Sequence, residues 1–574
     1  MPLILFALLA LLTACAPQPA SERSARTLVV PAARMRGFDP VQGGDVATFV
    51  AVARIYEGLL KYDYGALPYR LAPALAIALP EISPDGRIYR FTIKPTARFA
   101  DDPCFVARGG QGRAVTAADV CYSLRRLLDP ANRSPGVWTI EARILGAQAW
   151  RAAALASGRA DYAAPIAGLR CPAPDRIEIE LVAPDPQFPW VLALPYTAVV
   201  PREAVDYYGA RFSEHPVGTG PFVLESWRRN YRVAYRRNPD WNRDARYETW
   251  GGRAAALPYL DRLVEWVIDD GATRWLAFLR GDLALFPDIG ADEWDQVATA
   301  EGALRPELAA RGIALTSHTG LDTFYIGFNQ DDPVVGRKPA LRQALAHAFD
   351  RETWRAYYRG RVVPARGPLP PGVAGYRDAP PYYPYDLKRA RALLAEAGYP
   401  DGYDPATGRR LELTLAVGDT QADIRESTEL LCSFFERLGI VVRAEYFPRP
   451  VFFRRLERRE AQMFRLSWYG DYPDPENFLQ LFYSPNASPG PNRVNLADPG
   501  YDEAFTAFRR LPPGPERAAQ AAALEDRVMA AAPWLPLHHS RRVSLYHAAV
   551  QNLHATDFPY GIEQYLAIEE RTDP

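Results

Sequence analysis

Two hydrophobic periods alternate between residues 324 and 468, and that alternation limits the possible folds more than any other feature. Residues 324–328, Phe-Tyr-Ile-Gly-Phe, are an apolar run of strand length. Leu341, Ala344, Leu345, Ala348 and Phe349 then recur on one helical face. Asp386 caps a helix in which Leu387, Ala390, Leu393, Leu394 and Ala397 form a stripe, and Gly398 stops it. Leu411, Leu413 and Leu415 alternate as in a strand, and Leu431, Phe434, Phe435 and Leu438 make another helical stripe. Residues 440–446 and 463–468 read as strands again. Strands interleaved with helices predict an α/β layer on a mixed or parallel sheet. Ligands of such sheets sit beyond the carboxyl ends of the strands. At 574 residues the chain exceeds what one core can organise, so two or three domains are expected.

The last strand runs into Ser467-Trp-Tyr-Gly-Asp-Tyr-Pro-Asp-Pro-Glu-Asn-Phe-Leu479. Gly470 lets the backbone turn where a side chain would crowd it. Tyr472 and Asp474 each precede a proline and are pushed towards extended conformations. Asp474 reads as a helix N-cap, with Pro475 at the first helical position and Glu476 in the first turn. Asp471 has no such explanation. It stands three residues after Trp468, at a strand end, where a carboxylate can hold a cationic group such as an α-ammonium. The plain alternative is a loop aspartate bonded to its own backbone. The position at a strand end favours the ligand role.

In the first half, residues 28–30 are a short strand, and Tyr89, Phe91 and Ile93 alternate after an Asp85-Gly86 turn. Thr116 to Asp119 opens a helix with a capping-box pattern, and residues 176–181 and 263–268 are strands. Residues 217–222, Val-Gly-Thr-Gly-Pro-Phe, lack the Lys-Ser/Thr of a phosphate loop and open no helix, so they read as a tight crossing between strands. The hydrophobic share of 48% and charged share of 24% fit a soluble body, and a net charge of −1 offers no field for nucleic acid. No Gly-x-Ser-x-Gly or His-Glu-x-x-His occurs, so a peptide or ester hydrolase is the lesser reading. Residues 3–12 are apolar but too short to span a bilayer, and Leu12-Thr-Ala-Cys15 follows them. This pattern resembles a lipobox, with Cys15 acylated as the mature N-terminus and residues 16–26 as a tether. No Lys or Arg precedes the apolar core.

Collinear landmarks along nearly the whole mature chain resemble the family 5 solute-binding proteins of ABC importers, the dipeptide- and oligopeptide-binding group. They are Phe38-Asp39-Pro40, Tyr56-Glu-Gly-Leu59, Val115-Thr-Ala-Ala-Asp-Val120, Pro216-Val-Gly-Thr-Gly-Pro221, Arg342-Gln-Ala-Leu345, Tyr385-Asp-Leu387 with Ala397-Gly-Tyr399, and Trp468-Tyr-Gly-Asp-Tyr-Pro-Asp-Pro475. The resemblance implies an α/β, two-lobed periplasmic-binding-protein fold of type II, cluster C, with an extra subdomain in the first lobe. It implies a signal peptide at 1–15, a tether at 16–26, lobe one at 27–318, lobe two at 319–536 and a return to lobe one at 537–574. By the same resemblance Asp471 holds a peptide's α-ammonium beside Trp468 and Tyr469. Residues 44–48, with Gly44, Asp45 and Val46, face the peptide backbone as a strand-like edge from the first lobe. Arg465 matches a position that meets a peptide carboxylate in some relatives, although strand alternation sets it on the opposite face from Trp468. The implied protein is a non-enzymatic monomer that needs no cofactor. It is lipid-anchored on the periplasmic side of a bacterial membrane and delivers its solute to permease and ATPase subunits. A nickel chelate, haem, opine or sugar oligomer is the alternative cargo within the same fold.

Once Cys15 is set aside, Cys104, Cys121, Cys171 and Cys432 remain in an oxidising compartment. If the strands at 89–94 and 176–181 are antiparallel neighbours, Cys104 approaches Cys171, with Cys104–Cys121 as the rival pairing. Cys432 lies among leucines and Phe434 and reads as a buried thiol. His538, His539, His547 and His554 fit no structural zinc spacing and read as packed groups in and after a strand.

Overall fold

The computed structural model describes residues 26–241, 246–248, 254–287, 289, 291–299 and 302–569. Cys15, the signal segment and the tether up to residue 25 lie outside the described residues.

The alternation between 324 and 468 builds one eight-stranded sheet. Its path runs through Trp534–His547, Asp322–Phe328, Met463–Tyr469, Glu412–Val417 and Val441–Tyr446. The sheet is mixed: Glu412–Val417 lies parallel to both Val441–Tyr446 and Met463–Tyr469, whereas Asp322–Phe328 is antiparallel to Met463–Tyr469. Parallel neighbours need a crossover. Helix Ala422–Glu436 connects Glu412–Val417 to Val441–Tyr446, and helix Arg449–Glu457 leads back to Met463–Tyr469. The helical stripes go where their period aims them. Leu341, Leu345, Leu393, Leu394, Phe434 and Phe435 are buried with Leu413 and Leu415 in a core that spans residues 321–537 and includes Phe558.

A second core defines the other lobe. Strand Thr27–Ala32 lies parallel to Arg262–Val267, which continues into Arg232–Arg237 and Phe222–Arg228. A separate antiparallel sheet of Glu81–Ile82, Ile88–Thr92, Arg176–Glu180 and Leu169–Ala173 is inserted between them in the chain. Helix Ala117–Leu128 packs on it and opens with the expected capping box, Thr116 N–H donating to Asp119 Oδ2 at 2.8 Å. The Gly218–Gly220 stretch is a tight crossing, but against the end of helix Val46–Ile55 rather than between strands as expected. A β-carbon at either glycine would overlap the Ile55 backbone, and Gly220 N–H donates to Ile55 O at 2.7 Å.

Two antiparallel segments join the lobes, Ile313–Thr319 and the distal part of Trp534–His547, in register from Ile313 opposite His547 to Thr319 opposite Arg541. The long strand starts opposite Gly327 in the large sheet and ends against Leu285–Phe286. Beyond it the chain touches both cores, Phe558 packing with the large sheet's core and Leu566 with the other. There Glu563 and Glu265 both pair with the buried Arg54 of helix Val46–Ile55. Two carboxylates around one guanidinium offset the cost of taking these charges out of water.

The disulfide differs from both expected pairings. The strands carrying Tyr89 and Ile179 are antiparallel neighbours, but Cys121 reaches Cys171, with Cα atoms 6.9 Å apart. Helix Ala117–Leu128 crosses the strand that carries Cys171, and the Ala117 amide bonds to Pro174 O, so the inward-facing Cys121 arrives first. Cys104 is instead held in a turn, its amide donating to Asp102 Oδ1 at 2.8 Å, and stays a buried thiol. Cys432 is a buried thiol, as expected. The strand histidines are packed: Trp354 Nε1–H donates to His538 Nδ1 at 3.1 Å, His539 Nδ1 lies 2.7 Å from Asp322 O, and His547 Nε2 lies 2.9 Å from Phe278 O.

Candidate functional site

Strand Met463–Tyr469 ends at Gly470, whose N–H donates to Leu321 O at 2.7 Å. A β-carbon there would stand within 2.9 Å of Leu321 and Phe478, so only glycine lets the chain turn this closely. The chain then passes two prolines into the short helix Glu476–Leu479, one residue later than the sequence suggested. Asp474 is accounted for by structure. It accepts from Glu476 N–H at 2.8 Å and pairs with the buried Arg517 at 2.7 Å.

Asn477 organises the turn. It is 1% exposed. Its Oδ1 accepts from Trp468 Nε1–H at 2.8 Å and from the Asp471 amide at 3.2 Å, while its Nδ2–H donates to Asp471 Oδ2 at 3.2 Å. One buried amide thereby fixes the indole, the loop backbone and the carboxylate. Among the described residues Asp471 has no Lys or Arg ion pair. It keeps more than a third of its surface accessible. Crowding by protein atoms at longer range still pushes its carboxyl above the usual carboxylate range, opposed by the Asn477 bond and by the charge of Arg143.

The charge of Asp471 acts on three tyrosines from distant parts of the chain. Tyr62, Tyr196 and Tyr560 all have hydroxyls pushed up, first by burial and further by the negative charge of Asp471. Their rings belong to an aromatic wall. Tyr62 stacks on Phe558 at 4.0 Å, and Phe49 meets Tyr196 edge-on at 4.7 Å and Tyr560 at 6.1 Å. The lobes also touch beside the anchor, where the Gln187 side-chain oxygen accepts from the Arg517 guanidinium that pairs with Asp474.

The other residues singled out in the sequence are placed as follows. Tyr469 is 53% exposed and meets Phe324 edge-on at 6.0 Å. Residues 44–48 form no strand. Asp45 is the N-cap of helix Val46–Ile55, its Oδ1 accepting from Thr48 N–H at 2.8 Å, because an extended Asp directly before the first turn can reach the open amide three residues on. The expected strand-like edge is therefore a helix start, with Val46 exposed and the Asp45 charge reaching Tyr196. Arg465 is buried on the face away from Trp468. It donates to Ser427 Oγ at 2.9 Å, Thr428 Oγ1 at 2.8 Å and Tyr358 OH at 3.2 Å, and it lies over the Trp354 ring. It is not brought together with Asp471.

Sequence reasoning missed Asn477, whose signal was a lone amide between the prolines and an apolar Phe-Leu pair. It also missed Tyr62, Tyr196, Tyr560 and Arg143, which come from separate segments and carry no local signal.

Two cores joined by a pair of antiparallel crossing strands, with a carboxylate at a strand end between them, define a two-lobed solute-binding fold. The chain belongs to the bacterial extracellular solute-binding proteins, family 5, whose model matches residues 70–490. It is 29% identical over 545 residues to di/tripeptide-binding protein 2 of Pseudomonas aeruginosa (strain UCBPP-PA14), covering 92% of each chain. It is 26% identical over 513 residues to heme-binding protein A of Haemophilus influenzae, covering 88% of this chain and 85% of that one. The solved structure of HbpA2 from Haemophilus parasuis matches with a TM-score of 0.79 at 22% identity, over 95% of this chain and 100% of that one. Among the described residues no helix is long and apolar enough to cross a membrane.

Proposed function

We propose that this chain is a non-enzymatic extracytoplasmic receptor of an ABC importer that captures short peptides between its lobes. It delivers them to a membrane permease and its ATPase. The observation that carries the reading is Asp471, an accessible carboxylate with no ion-pair partner among the described residues, fixed by a buried asparagine, its charge acting on three tyrosines. A peptide α-ammonium supplies the missing charge and makes a charge-assisted hydrogen bond there. The relatives named for di- and tripeptides support this cargo. Trp468 and Tyr469 flank the cargo from the second lobe. Gly44, Asp45 and Val46 face it from the first lobe at a helix start, and Arg465 supports strand Met463–Tyr469 from behind. In this reading residues 27–318 and 537–574 form one lobe and 319–536 the other. They close about the crossing strands as a hinge. The receptor acts as a monomer tethered by a lipid on Cys15, on the periplasmic side of the membrane.

A second reading, a haem cargo, is favoured by the likeness to heme-binding protein A. Native mass spectrometry of the protein lacking residues 1–15, purified from cells without refolding, separates the two. A ladder of peptide masses that is lost in Asp471→Asn supports the peptide reading. A haem mass, or another single non-peptide mass, overturns it while leaving the fold.

A further inference from the structure

A cavity of about 240 Å³ lies in the first lobe, walled in part by Tyr62 and Tyr560. The loop that walls it is fastened to the anchor. Leu321 accepts from Gly470 N–H through its carbonyl at 2.7 Å, and its own N–H donates to Asp557 Oδ2 at 2.9 Å. The residues just after Asp557, Phe558 and Tyr560, then form one side of the cavity together with Tyr62. Tyr64, Tyr69 and Tyr565 line the rest of its aromatic surface.

The hydroxyls of that second trio are already engaged. Tyr64 donates to Asn552 O at 2.7 Å, Tyr69 donates to Asp557 Oδ2 at 3.1 Å, and Tyr565 accepts from Lys61 Nζ at 2.7 Å. What the cavity presents to a guest is ring edge and ring face together with two buried acceptors or donors that have no partner among the described residues, the Tyr62 hydroxyl and Gln564 Oε1. Lys61 Nζ lies 5.3 Å from the Tyr565 ring centre, so the place of a cation over a ring is also taken. Repulsion by Lys61 disfavours a basic guest, and the carboxylate of Asp63, which also lines the cavity, disfavours an acidic one. The volume exceeds the roughly 150 Å³ of an engineered cavity that binds benzene, so a phenyl, phenol or indole group fits. Aromatic rings gain further from offset and edge contacts with such walls.

We infer that this cavity receives a bulky aromatic side chain of the cargo, so that the receptor selects aromatic-bearing short peptides over small or charged ones. The inference rests on the peptide reading given above. It makes the first-lobe segments at 61–69 and 553–565 the selective half of the site, and the Asp471 turn the half that accepts any free ammonium.

Isothermal titration of the full mature chain, stripped of cargo, with Ala-Ala, Phe-Ala, Ala-Phe, Lys-Ala and Asp-Ala tests it. A phenylalanine peptide, in either order, is expected to bind about tenfold or more tighter than Ala-Ala, the gain from burying one ring. Lys-Ala and Asp-Ala are expected to gain nothing. Ala555→Trp, which fills the cavity from its wall, should cut the ratio of phenylalanine-peptide to Ala-Ala affinity to about threefold or less. Tyr62→Leu, which removes a ring face without filling space, should lower the same ratio and serves if Ala555→Trp fails to fold by circular dichroism. Equal affinities for Ala-Ala and the phenylalanine peptides, both dependent on Asp471, overturn the pocket and leave the peptide reading. An unchanged ratio in both variants also overturns the pocket. Binding of no dipeptide at all overturns both.

Discussion

Asp471→Asn tests the anchor most directly, because it keeps the side-chain shape and an acceptor for Asn477 while removing the charge. Truncating one partner of a buried ammonium–carboxylate pair costs about 2–5 kcal/mol. In the empty cleft Asp471 retains more than a third of its surface. Part of its hydration therefore survives, and the lower half of the range applies: about 2–3 kcal/mol, or about 30- to 150-fold in Kd. Titration calorimetry with a dipeptide at neutral pH reads this change. The empty protein should respond in the opposite sense. Crowding raises the Asp471 carboxyl above its unfolded value, so between the two values the folded state binds more protons than the unfolded state. Stability then falls as pH rises through that window, and above it the ionised carboxylate is a net cost. Removing the charge should leave the Tm of the empty protein unchanged or slightly higher at pH 7, while the peptide-induced rise in Tm disappears. A loss of affinity under about threefold, or a lower Tm for the empty variant, would refute the reasoning that this charge is kept for the cargo.

Four further outcomes follow from the same geometry. Asn477→Leu leaves Trp468 Nε1–H and the Asp471 amide without their acceptor, so peptide affinity should drop by about 1–3 kcal/mol and tryptophan emission should shift in the empty protein. Arg126→Met strands Asp39, which now accepts two bonds from Arg126 at 3.0 and 2.9 Å with both groups buried, and should cost about 3–5 kcal/mol in urea unfolding. Cys121→Ser opens a link between residues 50 apart and should cost about 4 kcal/mol by loop entropy, a loss that a reductant reproduces in the wild type but not in the variant. Burial lowers His539 to about 4, so the unfolded state takes up its proton first. Stability should be full above the unfolded value of about 6.5 and fall as pH drops towards about 4, with a shallower fall in His539→Asn followed by thermal unfolding against pH.

The second lobe was legible because its signals are local. Period-3.6 stripes such as Leu431, Phe434, Phe435 and Leu438, and period-2 runs such as Leu411, Leu413 and Leu415, each state their own burial, and all seven are in the core. Gly470 and Asp474 were legible for the same reason, since a crowded turn and a capping carboxylate leave marks within a few residues. The disulfide was not. The two strands are indeed antiparallel neighbours, the condition on which Cys104–Cys171 was expected, but choosing Cys121 over Cys104 depends on how helix Ala117–Leu128 lies across the sheet. The stretch 44–48 failed for a related reason. A Gly-Asp pair is compatible with an edge or a cap, and only the buried Thr48, Val52 and Ile55 beyond it decide for a helix. The aromatic wall is least legible, because Tyr62, Tyr196 and Tyr560 come together only when three distant segments, the last of them the C-terminal return, are in place.

That assembly gives the turn after Trp468 two roles at once. Asp471 and Asp474 are three residues apart. The first stays accessible, and the second is held by Arg517, which Gln187 of the other lobe also meets. Asn477 ties the same turn to the end of the strand through Trp468. A carboxylate held above its usual range is poorly satisfied on its own, and in the proposed reading an ammonium group of the cargo relieves it where the lobes touch. On that reading the cargo binds better to the arrangement in which Asp471 acts on the first-lobe tyrosines, and this difference in affinity is what would shift the two lobes towards closure.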